Sequence, residues 1–152
     1  MTVAYYMMKR LEEQKVTRLF GIPGNYTAPL LNTILEQEDK TPIKLVTMQN
    51  ELICGYAADG YARVQGHKGL GVVHFTYGVG AFVGLNAVAG SYVENVPMIV
   101  INGAPTNKEF RTNREVGLVY QHMLDNSLSN LNAFKSFTVY AEVVNNAIEA
   151  PQ

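Results

Sequence analysis

Met48-Gln49-Asn50-Glu51-Leu52-Ile53-Cys54-Gly55-Tyr56-Ala57-Ala58-Asp59-Gly60-Tyr61-Ala62-Arg63 follows the apolar run Ile43 to Met48 and changes from strand-like to helical spacing. The spacing predicts a helix with Glu51 in its first turn. On that helix Glu51, Gly55, Ala58 and Ala62 fall at i, i+4, i+7 and i+11, a stripe with almost no side chain beneath the carboxylate. A glycine inside a helix costs about 1 kcal/mol against alanine, a cost tolerated where another backbone comes very close. Glu51 is therefore expected to face a packed contact and not open water.

The same alternation of short strand and helix extends in both directions. Residues 2 to 14 read as an amphipathic helix, with Val3, Tyr6, Met7, Arg10 and Leu11 on one face. Arg18 to Ile22 reads as a strand ending in the turn Gly21-Ile-Pro-Gly-Asn-Tyr-Thr27, after which Pro29, Leu30, Leu31, Ile34 and Leu35 mark a second helix. Past the Glu51 helix, Gly66 to Gly69 turns into a strand at Leu70 to Phe75. Thr76-Tyr-Gly-Val-Gly80 then opens a helix reaching about Tyr92. Pro97 to Gly103 is the most continuous apolar run and reads as a strand buried on both faces. Such alternation predicts a three-layer α/β domain, a mostly parallel sheet with helices on both faces. Thr106 to Arg114 is polar and reads as loop, Val116 to Leu124 as a short helix, and Ser136 to Val143 as a strand with Phe137, Val139 and Ala141 on one face. Asn145 to Gln152 reads as a helix start.

The 152 residues, 47% apolar and 16% charged, have room for one domain with a real core. A net charge of -1 without a Lys/Arg cluster gives no footprint for nucleic acid. No apolar run approaches the roughly 20 residues needed to span a bilayer, and no basic, apolar leader pattern opens the chain. The single cysteine, Cys54, cannot form an internal disulfide, so a cytoplasmic protein is the default expectation and Cys54 reads as packing. Small molecules and other proteins are the expected partners.

Two glycine clusters sit where strands run into helices, the place where open α/β sheets put ligands. Neither is a nucleotide fingerprint: Gly78, Gly80 and Gly84 are one residue too long, and Gly21-x-x-Gly24 lacks a P-loop lysine. From spacing alone, tight turns are the favoured reading of both clusters. Gly80, Gly84, Ala87 and Ser91 form a second small-residue stripe, and two smooth helix faces point to self-association of two copies through them. His67, His74 and His122 are scattered without metal-ligand spacing. His74, in a strand, reads as a satisfied core or edge histidine, whereas His122 beside Gln121 is as well suited to function as to structure.

Taken in series, Gly21-Ile-Pro-Gly-Asn-Tyr26, Asn50-Glu-Leu through Gly55-Tyr-Ala-Ala-Asp-Gly-Tyr-Ala-Arg63, Thr76-Tyr-Gly-Val-Gly80, Leu85-Asn-Ala-Val-Ala-Gly-Ser-Tyr92 with Glu94, and Val96-Pro97 to Gly103-Ala-Pro105 form an ordered set. This set resembles the N-terminal pyrimidine-binding (PYR) domain of thiamine-diphosphate-dependent 2-oxo acid decarboxylases, the pyruvate and indolepyruvate decarboxylase group. The resemblance implies the thiamine-diphosphate-binding fold across residues 1–152, truncated at the C-terminus because its last helix and strand would lie beyond Gln152. In that family the glutamate matched by Glu51 hydrogen-bonds the pyrimidine N1′ of thiamine diphosphate, and the contact lets the 4′-amino group take the thiazolium C2 proton. The chemistry is the cofactor's, while the protein orients it. Desolvation and the helix N-terminus act on the Glu51 charge in opposite senses.

By the same resemblance Pro23 and Gly24 line the cofactor's turn, and Thr76, Tyr77 and Gly78 approach the pyrimidine by backbone contacts. Catalytic roles fall to Glu51, Asn25 and His122. The family has an aspartate where this chain has Asn25 and a His-His pair where it has Gln121-His122. An amide cannot exchange a proton near neutral pH, so carboligation is implied as readily as decarboxylation. The family's diphosphate and Mg²⁺ are held by a separate C-terminal domain with a Gly-Asp-Gly motif that is not in these residues. The expectation is therefore half an active site of a 2-oxo acid lyase, inactive alone, whose whole enzyme takes a 2-oxo acid or an aldehyde. The alternative is a non-catalytic assembly or regulatory module that keeps the fold and interface.

Overall fold

The structure, a computed structural model, describes residues 2–117 and 128–150. Four strands form one parallel sheet in the order β2-β1-β3-β4: β1 Arg18–Gly21, β2 Lys44–Val46, β3 Gly71–Phe75 and β4 Met98–Asn102. Four helices connect or precede them: α1 Val3–Glu13, α2 Ala28–Glu36, α3 Glu51–Val64 and α4 Val79–Val93, with α5 Asn107–Val116 and α6 Ser129–Lys135 following the sheet.

Each face of the sheet has its own apolar layer, because strand side chains alternate between faces. On one side Met8 and Leu11 of α1 and Leu30, Leu31 and Ile34 of α2 cover Leu19 and Val72. On the other, Cys54 and Ala58 of α3, Ala81 and Val88 of α4 and Phe134 of α6 cover Phe20, Val73 and Phe75. The three-layer α/β architecture expected from sequence is the one observed. The strand order places β1 and β3 side by side, while their chains leave in opposite directions to β2 and β4. A crevice at the carboxyl ends of β1 and β3 follows from that reversal, and it is where such sheets take ligands.

The two small-residue stripes meet each other inside the chain. Gly55, Ala58, Ala62, Gly80, Gly84, Ala87 and Ser91 are all buried. A Cβ built on Gly55 would lie 2.6 Å from the Ala87 Cβ, and one on Gly84 would overlap the Phe75 ring. The expected two-copy contact through these faces is thus corrected: the smooth faces let α3 and α4 pack closely within one molecule. Asp59 fastens the same contact, accepting hydrogen bonds from Arg63 Nε (2.6 Å) and Ser91 Oγ (2.6 Å). Burial acts to raise the Asp59 carboxyl, but the bonds from Arg63 and Ser91 outweigh it and hold the group below its ordinary range.

Other departures lie toward the C-terminal end. Thr106 to Arg114, read as loop, is largely α5, because Thr106 and Glu109 form a reciprocal capping box: Glu109 N–H donates to Thr106 Oγ1 and Thr106 N–H to the Glu109 carboxylate. Gly117, at φ +68°, ends that helix, and residues 118–124 of the expected Val116 to Leu124 helix lie outside the described residues. Ser136 to Val143 is not a strand. Val139 is 97% exposed, and no strand edge among the described residues pairs with it. β4, expected to be buried on both faces, is half-buried at every position because it pairs only with β3 among the described residues. Asn145 to Ala150 forms a capped turn in which Ile148 N–H donates to Asn146 Oδ1 at 2.9 Å.

Candidate functional site

At the carboxyl ends of β1 and β3, glycines bring backbone close to neighbouring side chains. β1 ends at Gly21 (φ +157°), where a side chain would overlap the His74 ring beneath it. The chain then turns through Ile22, Pro23, Gly24 and Asn25 into α2, with Thr27 locking the turn by donating its hydroxyl to the Gly24 carbonyl at 3.0 Å. A Cβ on Gly24 would lie 2.6 Å from Thr76 Cβ and Oγ1, so the β1–α2 turn rests directly on the Thr76 side chain. Beyond Thr76, Gly78 (φ +71°, ψ −122°) caps α4, a conformation that requires glycine.

Glu51 enters from the other side. Asn50 caps α3 by accepting from Ile53 N–H at 3.0 Å, which fixes Glu51 as the first residue of the helix. A Cβ on Gly80 would lie 2.8 Å from Glu51 Oε1 and 2.6 Å from Thr76 Cγ2. Glu51 and Thr76 therefore meet across the bare first turn of α4, and Gly80 is glycine because both side chains occupy the space. The half-buried carboxylate lies at the first turn of its own helix and against that of α4, two positive helix ends.

Aromatic rings flank this arrangement. Tyr77 is buried, its ring edge-on to Tyr26 of the β1–α2 turn (centroids 6.4 Å apart, 84°) and to Phe110 of α5 (6.0 Å, 75°). Burial, with Tyr26 adding to it, pushes the Tyr77 phenol up. His74 is 2% exposed, a core histidine of β3 as expected, but its Nδ1 has no hydrogen-bond partner among the described residues, and burial lowers its imidazole to about 4. Cys54 is fully buried, and burial pushes its thiol up.

Of the residues named from sequence, Gly24, Thr76 and Glu51 form one contiguous set through Gly80, and Pro23, Asn25, Tyr77 and Gly78 are their chain neighbours. Gln121 and His122 lie outside the described residues. Sequence reasoning missed the clearance role of Gly80 toward Glu51 and the ring contact of Phe110. The Thr106-x-x-Glu109 spacing carried the signal for the helix that holds Phe110. Among the described residues no group of three or more His, Cys, Asp or Glu could hold a metal ion, and no helix is long and apolar enough to cross a membrane.

A crevice at the sheet's reversal point, walled by glycines with a carboxylate set among them, is accompanied by a match in sequence. Residues 1–133 match the family described as thiamine pyrophosphate enzyme, N-terminal TPP binding domain. The chain belongs to that family. It is 38% identical over 151 residues to pyruvate decarboxylase 2 of Arabidopsis thaliana, which covers 98% of this chain and 23% of the relative. It is 36% identical to pyruvate decarboxylase 1 of Oryza sativa subsp. indica, again over 98% of this chain and 23% of the relative, and 36% identical to pyruvate decarboxylase 1 of Pisum sativum, over 98% and 24%. The chain thus spans about a quarter of the length of these curated relatives. At Gly24 and Gly80 a Cβ would meet Thr76 and Glu51, so glycine there lets the β1–α2 turn and the first turn of α4 close onto those side chains, and a half-buried carboxylate held among backbone suits a hydrogen bond to a ring nitrogen of such a cofactor.

Proposed function

We propose that this chain is the pyrimidine-binding half of a thiamine-diphosphate-dependent lyase that decarboxylates 2-oxo acids or joins them to aldehydes. The observation that carries the proposal is the meeting of Glu51 and Thr76 over Gly80 at the sheet's reversal crevice. When bound, thiamine diphosphate supplies an acidic thiazolium C2–H and the electron sink for breaking a bond beside a 2-oxo group. Glu51 would hydrogen-bond the pyrimidine ring nitrogen, and the Asn50 cap fixes where α3, and with it the Glu51 carboxylate, begins. Pro23 and Gly24 would line the cofactor's turn. Thr76, Tyr77 and Gly78 would approach the pyrimidine by backbone, and the Tyr77 side chain is itself buried. Asn25 orients substrate by hydrogen bonding, and His122 moves the proton that an amide cannot.

The diphosphate and its Mg²⁺ are held, in this reading, by a domain outside these residues, so the chain works in a cytoplasmic assembly with that domain and a second copy. Supplying a diphosphate-binding domain in trans, with thiamine diphosphate and Mg²⁺, tests the proposal through deuterium exchange at C2. Wild type is expected to support exchange, and Glu51→Gln to lower its rate at least about a hundredfold, the range of a lost positioned proton-transfer contact. Exchange that survives Glu51→Gln refutes the role of Glu51. A wild-type chain that assembles without promoting exchange is an assembly module and not half of an active site.

A further inference from the structure

Helix α5 has no buried residue, yet the ring of Phe110 stands edge-on to Tyr77, and Tyr77 stands edge-on to Tyr26. The three rings belong to three separate segments: α5, the β3–α4 turn and the β1–α2 turn. Tyr77 is the middle ring and lies between Thr76, on which Gly24 rests, and Gly78, whose positive φ sets the start of α4. A ring held on two sides ties the backbone that carries it to both neighbours, so that backbone cannot shift without breaking a ring contact. We infer that Phe110 is a positioning residue, acting through Tyr77 to fix the Thr76–Gly78 backbone at the edge of the pyrimidine crevice. This rests on the function proposed above and extends it to a residue of α5. Edge-on rings constrain orientation as well as contact, so a residue of similar bulk without a ring does not replace Phe110 fully.

The test compares Phe110→Ala, Phe110→Leu and Phe110→Tyr in the full 152-residue chain by amide hydrogen exchange. Phe110→Ala is expected to speed exchange of the 76–80 amides about tenfold while those of β1 and β3 keep their wild-type protection. Phe110→Tyr restores protection, and Phe110→Leu, which retains an apolar contact, falls between. In the C2 exchange assay, Phe110→Ala raises the thiamine diphosphate concentration giving half-maximal rate by about tenfold and leaves the maximal rate within about twofold, the split expected when binding geometry and not chemistry is lost. Unchanged 76–80 exchange in both the Ala and Leu variants overturns the inference. Wild type that never promotes C2 exchange sinks the functional reading instead, and the amide result still decides whether Phe110 holds the turn.

Discussion

His74 shows what one buried group does to the whole chain's response to acid. Its ring fills the space under Gly21, and burial lowers it from 6.5 to about 4 in the folded state. Between those values the unfolded chain binds a proton that the folded chain refuses, so stability rises with pH across this window. The contribution is complete above about pH 6.5 and is lost progressively as pH falls toward 4, an effect of up to about 3 kcal/mol at 1.4 kcal/mol per unit. Asp59, held below its ordinary 3.8, loses its contribution only at lower pH and does not share the window. Urea midpoints measured from pH 7 to 4.5 should fall steeply for wild type and much less for His74→Val. Parallel curves for the two proteins would assign the acid sensitivity to other groups.

Helix α3 contains two glycines with different reasons to be there. Gly55 faces Ala87 at a distance that leaves no room for a methyl group, whereas nothing lies within 4 Å of a Cβ built on Gly60. Gly60→Ala is therefore expected to stabilise the chain by about 0.5–1 kcal/mol through helix propensity and a stiffer unfolded chain. Gly55→Ala should destabilise by about 1–3 kcal/mol through overpacking. Denaturation midpoints that move in the same direction for both would contradict this packing. The contrast also shows what the sequence could tell. Apolar faces, continuous apolar runs and glycine-marked turns located α1 to α4 and the four strands, and periodicity identified both small stripes. It could not say that the stripes meet each other, because a period places residues on a face without naming the opposite face. α5 was misread because its polar residues hid a capping signal, and Ser136 to Val143 because alternation makes a strand only where an edge accepts it. At the site, the ordered motifs made Gly24, Thr76 and Glu51 legible, while Gly80 and Phe110 act through three-dimensional clearance that spacing does not encode.

With both small-residue stripes consumed inside the molecule, the exposed apolar side chains of α3 and α4 are the surface on which to test association of two copies. Ile53, Tyr56, Val79, Phe82 and Val83 are exposed on these helices, and the Tyr56 hydroxyl of α3 donates to Asn86 Oδ1 of α4 at 2.9 Å. Gly84→Leu is no probe of such a contact, since it would drive a side chain into Phe75 and break the fold. Phe82→Lys with Val83→Lys is the suitable pair, because both side chains already meet water in the single chain and their loss leaves the two apolar layers intact. Fully burying a side chain of this size contributes about 1.5–3 kcal/mol, so the pair should weaken self-association at least about tenfold while leaving the melting transition of the monomer in place. Sedimentation across a concentration series reads the outcome. A double variant that sediments like wild type places the contact elsewhere, and a wild type that stays monomeric at every concentration removes it.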